Sequence, residues 1–136
     1  MCAEISNAEM LNEIDAAAKA LAFGYLVVIP TETVYGLGAD ATNLEAIKRI
    51  YQIKNRPPGR PCIVHIESSS DLGFWAMSVP DYAENLITSF WPGPLTLILN
   101  KNKNINPDIT AGKDTIALRS PSKPLFQSLK IGRAHV

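Results

Sequence analysis

The stretch Tyr25-Leu26-Val27-Val28-Ile29-Pro30-Thr31-Glu32-Thr33-Val34-Tyr35-Gly36-Leu37-Gly38 decides the fold. Residues 25–29 form a short, continuous apolar run closed by Pro30, which reads as a buried strand. Residues 31–41 are rich in Gly and Thr and are expected to be a loop. Two hydroxyls, a carboxylate and a phenol thus leave a strand end together with flexible glycines. In open α/β sheets, ligands bind where such loops leave the strand ends. The competing reading is a turn whose Thr hydroxyls bond only their own backbone.

Working outward, Ser6-Asn7-Ala8-Glu9 has the pattern of a capping box. Met10, Leu11, Ile14, Ala17, Ala18 and Leu21 then share one helical face, and Gly24 suits the stop. A second box, Thr42-x-x-Glu45, is expected to open a helix with Ala46, Ile47, Ile50 and Ile53 on its apolar face. Pro57, Pro58 and Pro61 forbid its continuation. Strand candidates follow at 62–66, 95–99 and 115–118, with helical pieces at 71–76, 81–90 and 122–130. Strands alternating with helices predict an α/β domain with a largely parallel or mixed sheet. Residues 131–136, Ile-Gly-Arg-Ala-His-Val, continue no pattern. The codons ATC-GGA-AGA-GCA-CAC-GTC, one reading frame of a common sequencing adapter, encode that hexapeptide, so it is read as a non-native tail and set aside.

Composition narrows the classes. The chain has 136 residues, enough for one domain. Thirteen Lys+Arg balance 13 Asp+Glu, which argues against a protein that coats nucleic acid by neutralising phosphates. With 46% hydrophobic and 19% charged residues it can bury a core. No run approaches the roughly 18 apolar residues of a membrane span, and no secretory signal is visible at the start. Cys2 and Cys62 lie far apart, so a disulfide framework is not expected and the expected location is the cytoplasm.

Several segments can carry chemistry. Gly36-Leu37-Gly38-Ala39-Asp40-Ala41 matches G-x-G-x-x-A. The dinucleotide fingerprint needs its first Gly directly after the strand, whereas here Pro30 to Tyr35 intervene. Lys54-Asn55-Arg56-Pro57-Pro58-Gly59-Arg60-Pro61 holds three cations and no acid in a proline-stiffened loop. Such a loop suits a polyphosphate or a carboxylate, and a merely solvated basic loop is the alternative. His65 ends a strand candidate, as a structural residue or as a ligand contact. No His/Cys/Asp cluster is visible, so no protein-built metal site is expected; a metal would be Mg²⁺ carried by a nucleotide's phosphates. Phe90-Trp91-Pro92-Gly93-Pro94-Leu95-Thr96 reads as a rigid corner with a packing role. Thr115 and Arg119 fall on one side of a strand at period two, and Arg119 suits a carboxylate or a rim ion pair.

Taken in order, these segments resemble the YrdC/Sua5 family of L-threonylcarbamoyladenylate synthases. The resemblance rests on Pro30-Thr31-Glu32-Thr33-Val34-Tyr35-Gly36-Leu37, Lys54-x-Arg56-Pro57, Ile63-Val64-His65, Trp91-Pro92-Gly93-Pro94-Leu95-Thr96 and residues 115–121, and it reaches Lys130. It implies a twisted mixed sheet flanked by helices, a YrdC/RibB-like fold, incomplete at the C-terminus. Residues 1–130 are then a partial catalytic domain. The implied reaction joins L-threonine, bicarbonate and ATP, with Mg²⁺, into threonylcarbamoyl-AMP and pyrophosphate. That product feeds t6A formation at position 37 of tRNA, reached through downstream transfer proteins. By matching motif positions, Lys54 and Arg56 are the catalytic and phosphate-binding pair, Thr115 a nucleotide contact, and Thr31, His65 and Arg119 threonine contacts.

This sequence departs from the family at Arg60, usually Lys, and at Cys62, usually Leu. No counterpart of the family's Ser-x-Asn motif precedes Lys130, so this chain by itself is expected to be inactive. The rival readings are a YrdC-like protein that binds RNA without synthase activity, and a carbamoyl-adenylating domain of the hydrogenase-maturation type.

Overall fold

A computed structural model describes residues 7–30, 35–57, 59–67, 69–122 and 133–135. Helix α1 (Asn7–Ala22) lays Ile14, Ala17, Ala18 and Leu21 against Val27 and Ile29, the face that the apolar spacing predicts. It stops at Gly24, whose φ of +86° is open to glycine at little cost. A Cβ there would also sit 2.6 Å from the Asn43 Nδ2, so position 24 is doubly restricted. Ser6, the start of the first capping box, lies outside the described residues.

Strand β1 (Val27–Pro30) is an edge strand with Val28 exposed, not the buried strand expected, and Tyr25 before it is exposed too. It pairs antiparallel with β2 (Tyr35–Asp40), so most of the expected loop is strand. The correction has a packing cause. A Cβ on Gly38 would lie 2.7 Å from the Ile29 Cδ1, so the glycine makes room for Ile29 beneath α1. Close approach of the Ile29 side chain from the neighbouring strand here outweighs the low strand propensity of glycine.

Helix α2 (Leu44–Ile53) buries Ala46, Ile47 and Ile50, whereas Ile53, expected on the same face, is exposed at the end of the helix. Its cap is Asn43, whose side chain accepts from the Ala46 N–H at 3.2 Å. The expected Thr42 box does not form, because Thr42 donates both its N–H (2.9 Å) and its hydroxyl (2.7 Å) to the Asp40 carboxylate. Next come β3 (Ile63–His65), a 3₁₀ turn (Ser69–Asp71), α3 (Leu72–Trp75) and α4 (Asp81–Phe90). Strands β4 (Thr96–Asn100) and β5 (Thr115–Arg119) follow. The expected helix at 122–130 falls almost wholly on residues outside those described. Although residues 131–136 continue no sequence pattern, Arg133–His135 forms β6 inside the sheet. Three residues are too few for a period-two signal.

The sheet runs β1-β2-β6-β3-β5-β4, with β3 and β5 parallel and the other pairs antiparallel. It is the mixed sheet of the α/β expectation. Alternation gives it two unlike faces. Val64, Leu97, Leu99, Ile116 and Leu118 point to a core shared with α2, α3 and α4. Burial of each large aliphatic side chain there contributes about 1.5–3 kcal/mol. The opposite face is covered by α1 over β1. Over β3, β5 and β4 it carries Ile63, Thr96, Ile98, Thr115, Ala117 and Arg119, none of them fully buried, and Ile98 is 68% exposed.

Candidate active site

Strand register sets out the site. Arg119 ends β5 and pairs with His65 at the end of β3 on one side and with Thr96 at the start of β4 on the other. His65 pairs in turn with Arg133, and Arg133 with Asp40. Residues paired directly across a sheet project to the same face, so Thr96, Arg119, His65 and Asp40 belong to one row. His65 and Asp40 are buried, while Arg119 is half-buried. The Arg119 Nε is shielded from water and has no hydrogen-bond partner among the described residues. A buried donor left unpaired costs about 1–3 kcal/mol. A carboxylate approaching the guanidinium side-on would satisfy it with two parallel charge-assisted bonds.

Thr115 shares the face of Arg119, as period two predicts, but the two residues begin and end β5. At the usual rise they stand about 13 Å apart, with Ala117 between them. The sequence pattern groups them by side and is silent on this separation. Thr115 pairs with Asn100 at its own end of the sheet.

The basic loop enters β3 at its start, and because β3 and β5 are parallel that is the Thr115 end. Lys54 is the C-cap of α2, and Asn55 turns the chain with a φ of +46°. Arg56 then folds the loop around itself. Its backbone N–H donates to the Tyr51 carbonyl at 3.0 Å, Nε donates to the Arg60 carbonyl at 3.1 Å, and Nη2 to the Pro61 carbonyl at 2.9 Å. The guanidinium lies 6.0 Å from the centre of the Tyr51 ring, near the outer limit for a cation–π contact. Two of its five N–H groups are thereby spent on the loop and three remain for a ligand. Sequence reasoning assigned Arg56 to phosphate alone and missed this clamp.

Tyr51 was missed as well. Its hydroxyl donates to the Arg60 carbonyl at 2.9 Å and accepts from the Cys62 thiol at 3.7 Å. Loss of water around the phenol, and then the neighbouring Cys62, push its pKa up to about 12. Burial also raises the Cys62 thiol, against the smaller opposing pull of Tyr51, Arg56 and Lys54. Both groups are therefore neutral near pH 7, and the loop's positive charge is undiminished by them.

Thr31 lies outside the described residues. Its neighbour Pro30 pairs with Tyr35, and β1 runs opposite to β3. The register therefore sets Pro30 at the Thr115 end of the sheet, away from His65 and Arg119. Among the described residues no group of three His, Cys, Asp or Glu could hold a metal ion, and no helix is long and apolar enough to cross a membrane.

The Sua5/YciO/YrdC family model, described as "Telomere recombination", matches residues 19–131. The chain is 48% identical over 117 residues to a threonylcarbamoyl-AMP synthase of Pyrococcus abyssi, covering 86% of this chain and 34% of that protein. It is 47% identical over 118 residues to the enzyme of that name from Bacillus subtilis, with the same two coverages. The crystal structure of P. abyssi Sua5 complexed with L-threonine superposes with a TM-score of 0.87 at 43% identity, over 91% of this chain and 38% of that one. The chain thus spans about a third of the length of these relatives. The matched region holds all five segments on which the sequence resemblance rests, and the chain belongs to the Sua5/YciO/YrdC family.

Proposed function

We infer that the protein is an L-threonylcarbamoyl-AMP synthase, a nucleotidyltransferase acting in tRNA modification in the cytoplasm. The observation that carries this reading is the half-buried Arg119, in the same row as His65, whose Nε has no hydrogen-bond partner among the described residues. It is a docking point for one carboxylate at one end of an open sheet face. Thr115 stands at the other end of that face, and the loop with the cations Lys54, Arg56 and Arg60 enters β3 at the same end of the sheet. An elongated ligand with a carboxylate at one end and a phosphorylated nucleoside towards the other fits this division of charge.

The chemistry follows from that orientation. The threonine amine condenses with bicarbonate, losing water, to give a carbamate. A carbamate oxygen then attacks the α-phosphorus of ATP, the bond to the bridging oxygen breaks, and pyrophosphate leaves. Arg119 holds the carboxylate, His65 lines the threonine end, and Thr31 is retained as a threonine contact on the family resemblance alone. Lys54 and Arg56 neutralise charge on the phosphates, and Thr115 touches the nucleoside. Mg²⁺ travels with ATP as part of the substrate. Catalysis by such a site rests on positioning and on charge neutralisation. Threonine, ATP and bicarbonate are the direct partners, and tRNA is reached through proteins that accept the product.

Calorimetric titration of L-threonine and of ATP·Mg²⁺ tests the reading. Threonine binding should weaken by about 100-fold in Arg119→Ala while ATP binding changes little, the loss of a charged, desolvated partner being about 3 kcal/mol. Equal threonine affinity in both proteins would refute it. Salt-dependent tRNA binding with no affinity for threonine would favour an RNA-binding protein instead.

A further inference from the structure

Arg119 is held by an unusual amount of backbone. Its own carbonyl accepts from the Ile66 N–H at 2.9 Å. The carbonyl of the next residue, Ser120, accepts from the Gly93 N–H at 2.8 Å. The Ser120 hydroxyl, 2% exposed, donates to the Glu67 carbonyl at 3.1 Å. These three bonds join the ends of β3 and β5 to the corner at residues 91–95, which contains the cis Trp91–Pro92 bond. The corner is itself closed by two further bonds. The Trp91 N–H donates to the Ile87 carbonyl at 2.9 Å, and the Trp91 Nε1 donates to the Leu95 carbonyl at 2.8 Å. Directly after the corner, Thr96 pairs with Arg119. Gly93 leaves no latitude, because a Cβ there would run into the Phe90 carbonyl.

No acceptor among the described residues orients the Arg119 Nε. The direction of its guanidinium is therefore set by where the backbone starts the side chain and by the walls around it. We propose that the 91–95 corner, acting through Gly93 and Ser120, is a positioning device for Arg119, beyond the packing role its sequence suggests. Ser120 and Gly93 act by fixing the origin of the Arg119 side chain. The inference rests on the reading of Arg119 as the carboxylate anchor, and it deepens that reading by naming what aims the anchor. An ångström of misplacement at a bidentate contact is enough to degrade it.

Two readouts on the full 136-residue chain separate this proposal from the function beneath it. The first is the ¹⁵N relaxation of the Arg119 Nε–H. Its order parameter should approach rigid-backbone values of about 0.85 in the unmodified protein and fall below about 0.6 in Ser120→Ala and in Gly93→Ala. The second is L-threonine titration in a double-mutant cycle. Ser120→Ala alone should raise the Kd about fivefold to tenfold with ATP·Mg²⁺ affinity unchanged, and by less than about twofold in an Arg119→Ala background. Ser120→Ala removes one hydroxyl and keeps the corner glycine, so it serves where Gly93→Ala fails to fold. An unchanged order parameter in Ser120→Ala, or an additive cycle, would overturn the proposal. If the unmodified chain shows no threonine binding while the order parameter still falls, the corner's hold on Arg119 stands apart from the functional reading.

Discussion

Arg56 offers the sharpest test, because the structure gives it two employments that separate on substitution. As a clamp it donates to the Arg60 and Pro61 carbonyls and lies over Tyr51. At this partly exposed position each bond is worth about 1 kcal/mol net, and a cation–π contact at the edge of its range adds at most about 0.5 kcal/mol. Arg56→Ala should therefore lower stability by about 2 kcal/mol. Arg56→Lys, whose single ammonium can serve one carbonyl but not both, should lower it by about 1 kcal/mol. For a chain of this size each kcal/mol moves the melting temperature by about 4 °C. Scanning calorimetry should thus show a drop of about 8 °C for Ala and about 4 °C for Lys. ATP·Mg²⁺ affinity, measured well below either transition, should fall in both variants. Melting temperatures within a degree of the unmodified protein would show that the loop is held without Arg56 and refute the clamp, whatever happened to ATP.

Other perturbations follow from the same contacts. Gly24→Ala adds a methyl where φ is positive and where Asn43 already stands, and should cost about 1–2 kcal/mol by urea denaturation. Leu118→Ala opens a cavity in the core and should cost about 2–5 kcal/mol, whereas Ile98→Ala, on the open face of the neighbouring strand, should cost less than about 1 kcal/mol. Equal costs for those two would mean the sheet faces are misassigned. Tyr51 holds its proton up to about 12 in the folded protein, against about 10 unfolded. The unfolded chain releases that proton first as pH rises, so the phenol's contribution is complete below pH 10 and is lost between about 10 and 12. Urea midpoints measured across that window should fall less steeply in Tyr51→Phe than in the unmodified protein.

Much of this molecule is visible in its sequence, for identifiable reasons. The Ile14-Ala17-Ala18-Leu21 part of the α1 stripe, the stop at Gly24 and the 81–90 helix announce themselves through period and punctuation, and all appear in the structure, while the side chains of Met10 and Leu11 lie outside what is described. What stays hidden is whatever depends on a distant partner. Strand β2 reads as a loop because Gly38 answers to the Ile29 side chain on the neighbouring strand, not to local propensity. Thr42 looks like a cap until Asp40 claims its hydroxyl and its N–H. In the site, the residue types and their strand positions are legible. Period two shows Thr115 and Arg119 sharing a side, but only the register shows which neighbours each one has. The two tasks of Arg56 cannot be read from a charge pattern, since the carbonyls it ties down belong to a loop whose path the pattern does not specify.

The place of β6 bears on how receptive the sheet is to strands that are not its own. Among the described strands it is the one that joins β2 to β3, yet its residues belong to the hexapeptide expected to be a non-native tail. The β1–β2 hairpin and the β3-β5-β4 block present inner edges, and a bare edge pairs with any short strand that reaches it. A chain ending at residue 130 should leave both edges uncovered, and amide hydrogen exchange in β2 and β3 should quicken accordingly.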